Sequence, residues 1–394
     1  MKTVGIVCEY NPFHTGHLYH FRQIRKDLGE DTAIVCVMSG NYVQRGTPAL
    51  LDKYTRAKMA LLCGADLVLE LPYPFSSSGA GYFADAAVSI LDRIHVIDLL
   101  SFGTETEDLS SLVELSNIAS SRERDQKLKS LLSDPANASK GYAELRANAY
   151  FDGNAPCGPN DTLAIEYIRS LNKRQSSITT HNTVRSCPHL GHSDGTYASA
   201  SVIRTLCLQG NINEALAYIP SSAQEVFAHS VSNAIARRMV AFEASLLSHL
   251  RLAPPCSSIF ELPEELRQRL IKYSLRCASY DDLVRSVRTA RYTTSRVQRA
   301  LLHAFLGTTS AHMSVEPQYT QVLATNTVGM ALLKRIKKSA DIDIMTKPAD
   351  SQKLCVVAQE QHAHCARADS VYPIFCSDSM GGDIFLRSTP YCDT

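Results

Sequence analysis

The chain lacks most of the features that place a protein quickly. Its twelve cysteines are scattered singly, with no CxxC pair. In 394 residues that reads as reduced thiols filling the core, not as a disulfide framework. No apolar run approaches about 18 residues, which excludes a conventional membrane span. The N-terminus enters a strand without a basic run and a long apolar stretch, so no signal peptide is expected and the protein is placed in the cytoplasm. There is no internal repeat, low-complexity tract, Ser/His/Asp triad or KMSKS-like loop.

What is present is ordinary in bulk and uneven in detail. A 45% hydrophobic and 20% charged composition supports a sizeable core, and 394 residues suit two or three domains. Net charge is +1, yet residues 211–340 hold 16 basic against 9 acidic residues. That surplus fits a polyanionic partner or a solvated helix face.

Residues 3–8 (TVGIVC), 33–38, 66–71 and 96–102 are short, nearly continuous apolar runs, as in strands buried on both faces. Between them Leu18, Phe21, Ile24 and Leu28 recur at helical spacing before Gly29; residues 52–63 and 82–93 repeat the pattern. Alternating strand and helix predicts a doubly wound α/β domain with a parallel sheet over residues 1–210. After residue 210 strand signals stop. Helices are expected at 211–218, 221–250, 262–276, 280–289 and 295–306, giving a mainly α-helical domain over 211–340. Residues 341–394 carry weak periodicity and no assigned role.

The first strand runs into EYNPFHTGHLYH, residues 9–20. The turn after such a strand lies at the carboxyl edge of the sheet, where these folds bind ligands. Pro12 suits the turn, and a helix should begin near His14 to Gly16, placing His14 and His17 on one face of its first turn. Unpaired N–H groups and about half a positive charge make that helix end a phosphate seat. Two imidazoles there can stabilise charge as pyrophosphate leaves, and Gly16 lets a base or ribose lie close. Both rings are expected to be exposed. A zinc site from His14, His17 and His20 is disfavoured, because His20 lies well around the helix from His14. His362, His364 and Cys365 form a second metal-like string, but lack a fourth ligand at a recognised spacing.

The stretch Val4 to His20 resembles the HxGH nucleotidyltransferases, and within them the tRNA(Met) cytidine acetate ligase family. Further matching stretches follow in order: MSGNYVQRGTPAL (38–50), RAKMALLCGADLVLELPYPFSSSGAGYFA (56–84), FGTE (102–105), GPNDTLAIEYI (158–168), TVR (183–185), YASASVIR (197–204) and RYTTSRVQR (291–299). The match covers about residues 1–310. One departure is Asp161, where the family usually has asparagine. The resemblance implies a Rossmann-like nucleotidyltransferase domain followed by a helical, tRNA-binding one. It also implies that ATP and acetate give acetyl-adenylate and pyrophosphate, and that the acetyl group passes to the 4-amino group of the wobble cytidine in elongator tRNA(Met).

Carried over by position, the ATP site is Val7, Cys8, Glu9, Tyr10, Asn11, Pro12, Phe13, His14, Thr15, Gly16, His17, Leu18, Tyr19 and His20 with Gly103, Asn160 and Arg185. His14 and His17 take the catalytic role. Gln44 and Arg45 in the loop after the second strand, and Ser201 and Arg204 in the SASVIR segment, are candidates for acetate or phosphate contacts; Ser199 or Ser201 would cap a helix. Mg2+ is expected to arrive on the ATP phosphates, with no dedicated metal site. Were 284–300 one unbroken helix, Arg285, Arg288, Arg296 and Arg299 would share about an 80° arc, with Arg291 and Tyr292 beside it, as an RNA backbone requires. From these, Arg291, Arg296 and Arg299 are taken as tRNA contacts. Lys334, Arg335, Lys337 and Lys338 form a second basic cluster. An adenylyltransferase acting on a small molecule, and a nucleotide-sensing RNA-binding protein without turnover, are the competing readings.

Overall fold

The two-sided apolar runs fold as central strands. The computed structural model describes residues 1–137, 140–151, 158–184, 197–231, 235–376 and 391–392. Its strands are β1 Thr3–Cys8, β2 Ala33–Ser39, β3 Tyr42–Val43, β4 Thr47–Pro48, β5 Leu67–Leu71, β6 Leu99–Thr104, β7 Thr179–Val184, β8 Tyr319–Thr325, β9 Asp343–Met345 and β10 Tyr391–Cys392. Among the described residues the main sheet runs β10-β8-β5-β2-β1-β6-β7, with β9 beside β8. The central strands from β5 to β7 are parallel.

Alternation along β2 shows why helices cover both faces. Val35 and Val37 point into one layer with the helices Ala80–Arg93, Pro159–Arg174 and Thr327–Ser339. Ile34, Cys36 and Met38 point into the other, with Thr15–Leu28, Lys53–Leu62, Ala200–Leu208 and Ser221–Ser230. Each such side chain, once fully buried, stabilises by about 1.5–3 kcal/mol. The chain goes from β1 to β2 on one side, while β6 lies on the other. The crevice between the carboxyl ends of β1 and β6 is therefore a topological switch point.

Two expectations need correction. Residues 319–325, assigned to the helical segment, form β8 and extend the sheet antiparallel to β5. Tyr319, Val322, Leu323 and Ala324 are all buried, so this is an apolar strand of the same kind that interrupts the helices late in the chain. The helix expected over 221–250 is two, Ser221–Ser230 and Ile235–Leu252.

The helices from Ile235 to Leu306 build a third core around Phe242, Leu246, Leu266, Leu270, Leu283 and Leu301. Tyr42 from β3 and Tyr73 after β5 enter it, as do Tyr372 and Phe375 of the helix Val356–Cys376. The helical unit is thus fastened to the loops on the carboxyl side of the sheet. At the tip of the β3–β4 hairpin Gly46 has φ 76°, and a Cβ there would lie 2.4 Å from the Arg299 backbone nitrogen. Only glycine fits this close approach.

Candidate active site

A cleft of about 720 Å³ opens at the switch point. Of the run 7–20, Val7, Cys8, Glu9, Tyr10, Asn11, His14, Gly16, His17, Tyr19 and His20 line it. Phe13 is fully buried against Tyr10 and Phe21, and Leu18 packs in the same core. Pro12 and Thr15 complete the turn without reaching the wall; the Thr15 N–H donates to Tyr218 O.

The helix Thr15–Leu28 starts as a histidine capping box. His14 Nδ1 accepts the Gly16 N–H at 3.0 Å, and His17 Nδ1 accepts the His14 N–H at 3.2 Å. The rings stack with centroids 3.8 Å apart. Because each Nδ1 accepts, the neutral rings carry their protons on Nε2, where they can donate to an anion. The expected exposure is met by neither ring: His14 is 5% exposed, since its own cap folds it onto the helix end, and His17 is half-buried. A Cβ on Gly16 would lie 2.9 Å from His14 Cε1, so this glycine makes room for the capping ring.

Cations gather on the β2 side. Arg204 donates to Asn11 O at 2.7 Å, and Gln44 N–H to Glu9 Oε1 at 2.6 Å; Gln44, Arg45, Arg204 and Arg299 all line the cleft. Burial lowers the Arg204 pKa, opposed by Glu9 and reinforced by Arg45. Ser199, not Ser201, caps the helix Ala200–Leu208 and lines the cleft; Ser201 Oγ accepts weakly from Arg204, at 3.4 Å.

On the β6 side, Gly103 and Asn160 line the cleft. Asn160 follows Pro159 in a helix whose cap is Gly158, and its side-chain amide donates to Glu105. Arg185 lies outside the described residues.

The arrangement offers donors and cations but little else. Burial pushes the Cys8 thiol up, away from its reactive thiolate form. Glu9 is the sole carboxylate among the described lining residues and is held by the Gln44 N–H, a donor set unsuited to a dedicated divalent site. Glu70, Cys365 and Asp369 converge in the interior. There the Lys53 ammonium already bonds Glu70 at 2.8 Å and Asp369 at 2.7 Å, taking the place a metal would occupy. His364 is instead held by Thr308 at 3.0 Å and stacked on His312, while His362 packs edge-on against Tyr319.

The arginine stripe is not one face. The helices Tyr280–Val287 and Thr294–Leu306 are separate, because the chain turns at 288–293. Arg299 is 14% exposed, faces the cleft and pairs with Glu261 at 2.6 Å. Arg291 and Arg296 flank Tyr292, at 6.0 and 5.7 Å from its ring centre, and Arg291 also pairs loosely with Glu265 at 3.7 Å. Lys334, Arg335, Lys337 and Lys338 are exposed on the helix Thr327–Ser339, which packs on the sheet and not on the helical unit.

Several contributors are not apparent from the sequence. Arg56 is fully buried and donates to the carbonyls of Glu9, Ser39, Gly40 and Leu51, tying together the ends of β1 and β2. Tyr197, not among the expected site residues, meets the expected Tyr19 edge-on at 6.2 Å on the cleft wall. Glu105 organises the start of the helix Pro159–Arg174. A buried arginine inside an apolar helix pattern is the only signal that could have exposed the first.

Fold and site together define a doubly wound domain with an anion seat at its switch point, the layout of a nucleotidyl transferase. Residues 1–382 match the family model of the HIGH nucleotidyl transferases. A tRNA(Met) cytidine acetate ligase of Acetivibrio thermocellus is 34% identical over 380 residues, covering 90% of each chain. One from Thermoanaerobacter sp. strain X514 is 35% identical over 359 residues, covering 88% of this chain and 89% of the relative. Thermotoga maritima TmcAL bound with alpha-thio ATP superposes with a TM-score of 0.87 at 28% identity over the full length of both chains. The chain belongs to the HIGH nucleotidyl transferases and, within them, to the tRNA(Met) cytidine acetate ligase family.

Proposed function

We propose that the protein is an ATP-dependent ligase that activates acetate and acetylates the wobble cytidine of elongator tRNA(Met). The observation that carries the reading is the histidine-capped helix end, with Arg45 and Arg204 opposite, at the switch point of the sheet. An acetate oxygen attacks the α-phosphorus of ATP, forming the acetyl–phosphate anhydride and releasing pyrophosphate. Acetate needs no activation as a nucleophile, so positioning and charge neutralisation carry the step. The Nε2–H groups of His14 and His17 serve the phosphates in this scheme, and Gln44 and Arg45 the acetate. Mg2+ would neutralise phosphate charge and arrive with ATP, since Glu9 alone offers no cage.

In the second step the cytidine 4-amino nitrogen attacks the anhydride carbonyl. The C–N bond forms, the C–O bond to AMP breaks, and the amine loses a proton. That amine is a poor nucleophile because its lone pair is delocalised, so the base must be splayed from the anticodon loop and held about 3 Å from the carbonyl. Arg291 and Arg296 are the proposed backbone contacts, whereas Tyr292, 3% exposed in the helical core with its hydroxyl on Glu265, has no face open for a base. Mass spectrometry of nucleosides from tRNA incubated with enzyme, ATP and acetate tests this. One N4-acetylcytidine per elongator tRNA(Met) is expected, with none on a transcript carrying uridine at the wobble position. Acetylation of that transcript would remove the cytidine assignment.

A further inference from the structure

In acyl transfer the cytidine 4-amino group must lose a proton, whereas the groups assigned to phosphate and acetate are donors and cations. Glu9 is the sole carboxylate lining the cleft among the described residues, and it is fixed from two directions. Buried Arg56 donates to its main-chain carbonyl at 2.5 Å and to the carbonyls of Ser39 and Gly40, which ties the end of β1 to the end of β2. Glu9 Oε1 accepts the Gln44 N–H at 2.6 Å, and among the described residues no donor meets Oε2. One oxygen therefore holds the side chain in place, and the other is left to receive a proton.

The other groups on the wall are less suited to that task. His14 Nδ1 and His17 Nδ1 each accept a main-chain N–H in the capping box, which leaves Nε2–H as a donor. Burial pushes the Cys8 thiol and the Tyr10 and Tyr167 hydroxyls up, so these three stay protonated. His20 lies on the β6 side, with its Nε2 on Ser101 Oγ at 2.8 Å. Charge balance also suits Glu9. Arg204 interacts with both Glu9 and Arg45, so two positive charges face Glu9 and a bound acetate, and the acetate meets no net repulsion.

We propose that Glu9 Oε2 is the catalytic base of acyl transfer, taking the proton of the cytidine 4-amino group as its nitrogen attacks the anhydride carbonyl. This rests on the ATP and acetate reading above. Gln44 belongs to the loop assigned to acetate, so a carboxylate bonded to its N–H lies beside the acetyl carbonyl. The C–N bond forms, and the C–O bond to AMP breaks with its electron pair on the phosphate. The N–H proton passes to Oε2, and Glu9 returns it to solvent before the next turnover. A positioned base contributes about a hundredfold to ten-thousandfold, and an amine with a delocalised lone pair depends on it most. Adenylation moves no proton, since acetate attacks as an anion, so the base serves the second step alone.

Two acetyl acceptors separate the half-reactions in the full chain. Hydroxylamine, whose lone pair is localised, takes the acetyl group of acetyl-adenylate without a base and gives acetohydroxamate. Elongator tRNA(Met) at saturating concentration reports the base-dependent transfer. Glu9→Gln keeps an oxygen for the Gln44 N–H and removes the basic one. It should lower the tRNA-saturated rate of cytidine acetylation about a hundredfold more than it lowers acetohydroxamate formation, with the KM for tRNA near the parental value. Glu9→Asp, which retains a carboxylate, should recover part of that loss. A Glu9→Gln variant that melts like the parent, and in which both products fall together or neither falls, overturns the base alone. A wild type that makes neither product from ATP and acetate overturns the acetate-activation reading and the base with it.

Discussion

Glu261 joins Arg299 to the start of another helix: its Oε2 accepts Arg299 Nε–H at 2.6 Å, and its Oε1 accepts the Gly79 N–H at 2.9 Å. Gly79 caps the helix Ala80–Arg93 and has no side chain to do so itself. Arg299 thus belongs to the cleft wall and to the seam between sheet and helical unit. Arg299→Ala would leave a carboxylate of 11% exposure without its cation. We expect a loss of about 3 kcal/mol in stability and slower acetate-dependent pyrophosphate release even without tRNA. Thermal melts and a pyrophosphate assay measure both, and unchanged values would reduce the pair to a bystander.

Arg288 and Arg296 should behave differently. Arg288 is exposed just beyond the helix Tyr280–Val287, and Arg296 lies over Tyr292. Replacing both with alanine should weaken tRNA binding and lower the slope of log affinity against log salt by about one unit for each phosphate left without its cation. Acetyl-adenylate formation without tRNA should persist. A double variant with the parental slope would show this face to be merely solvated.

His14 combines two roles that substitution can separate. His14→Ala removes both the Nε2 donor and the Nδ1 cap. It should cost about a hundredfold in pyrophosphate release and about 1 kcal/mol in stability. Asparagine caps helices as well, so His14→Asn should keep the stability and still lose the activity. If His14→Asn turns over like the parent, the phosphate role of this ring is wrong.

How much can be read from sequence varies with the range of the interaction. The strands β1, β2 and β5 and the helix after β1 are legible because buried strands and amphipathic helices print their period on adjacent residues. The capping histidines are legible as a local motif. β8 is not, because YTQVLAT sits among helices and its pairing with β5 joins residues about 250 positions apart. The arginine stripe fails for a related reason. Spacing predicts one face only while the helix continues, and the chain turns at 288–293. Arg56 and the Lys53–Glu70–Asp369 cluster are charges inside apolar patterns, and only the fold shows what neutralises them.

Acid should destabilise the seam around Tyr73. His303 Nδ1 lies 3.0 Å from the Tyr73 hydroxyl, which also meets Thr308 Oγ1, and Thr308 holds His364. Burial pushes His303 down to about 3, helped by Arg299, and burial pushes His364 to about 3, helped by His312. Depressed values mean that the unfolded chain takes up protons below about pH 6.5 that the folded chain refuses. This contribution is complete above that pH and is lost as pH falls toward about 3, by about 1.4 kcal/mol per pH unit for each ring. Urea melts across that range should show the slope, and His303→Gln should flatten it by about one proton. An equal slope in that variant would place the acid sensitivity elsewhere.

Asp161 and Glu105 form a reciprocal clasp that fixes Asn160. The Asp161 carboxylate, fully buried, accepts the N–H groups of Glu105 and Thr106 at 2.9 and 3.2 Å and the Thr106 hydroxyl at 2.6 Å. In return Glu105 accepts the Asp161 N–H at 2.9 Å and the Asn160 side chain, capping a helix whose cap residue is Gly158. The clasp uses both oxygens of the aspartate, and the resemblance noted in the sequence suggests asparagine as its natural alternative. An asparagine oxygen can take both N–H groups, and its amide can donate to the Thr106 oxygen in place of the present bond. Asp161→Asn should therefore stay within about 1 kcal/mol of the parent. Asp161→Ala strands two N–H groups and frees the loop behind Gly103. It should raise the KM for ATP by about tenfold while leaving kcat closer to the parent, because the broken bond orients a binding residue and not the reacting atoms. Glu105→Ala should produce the same split, and the double variant should be no worse than either single one, since each change opens the same clasp. Additive losses would mean that the two carboxylates act separately, and the clasp would then have no part in placing Asn160.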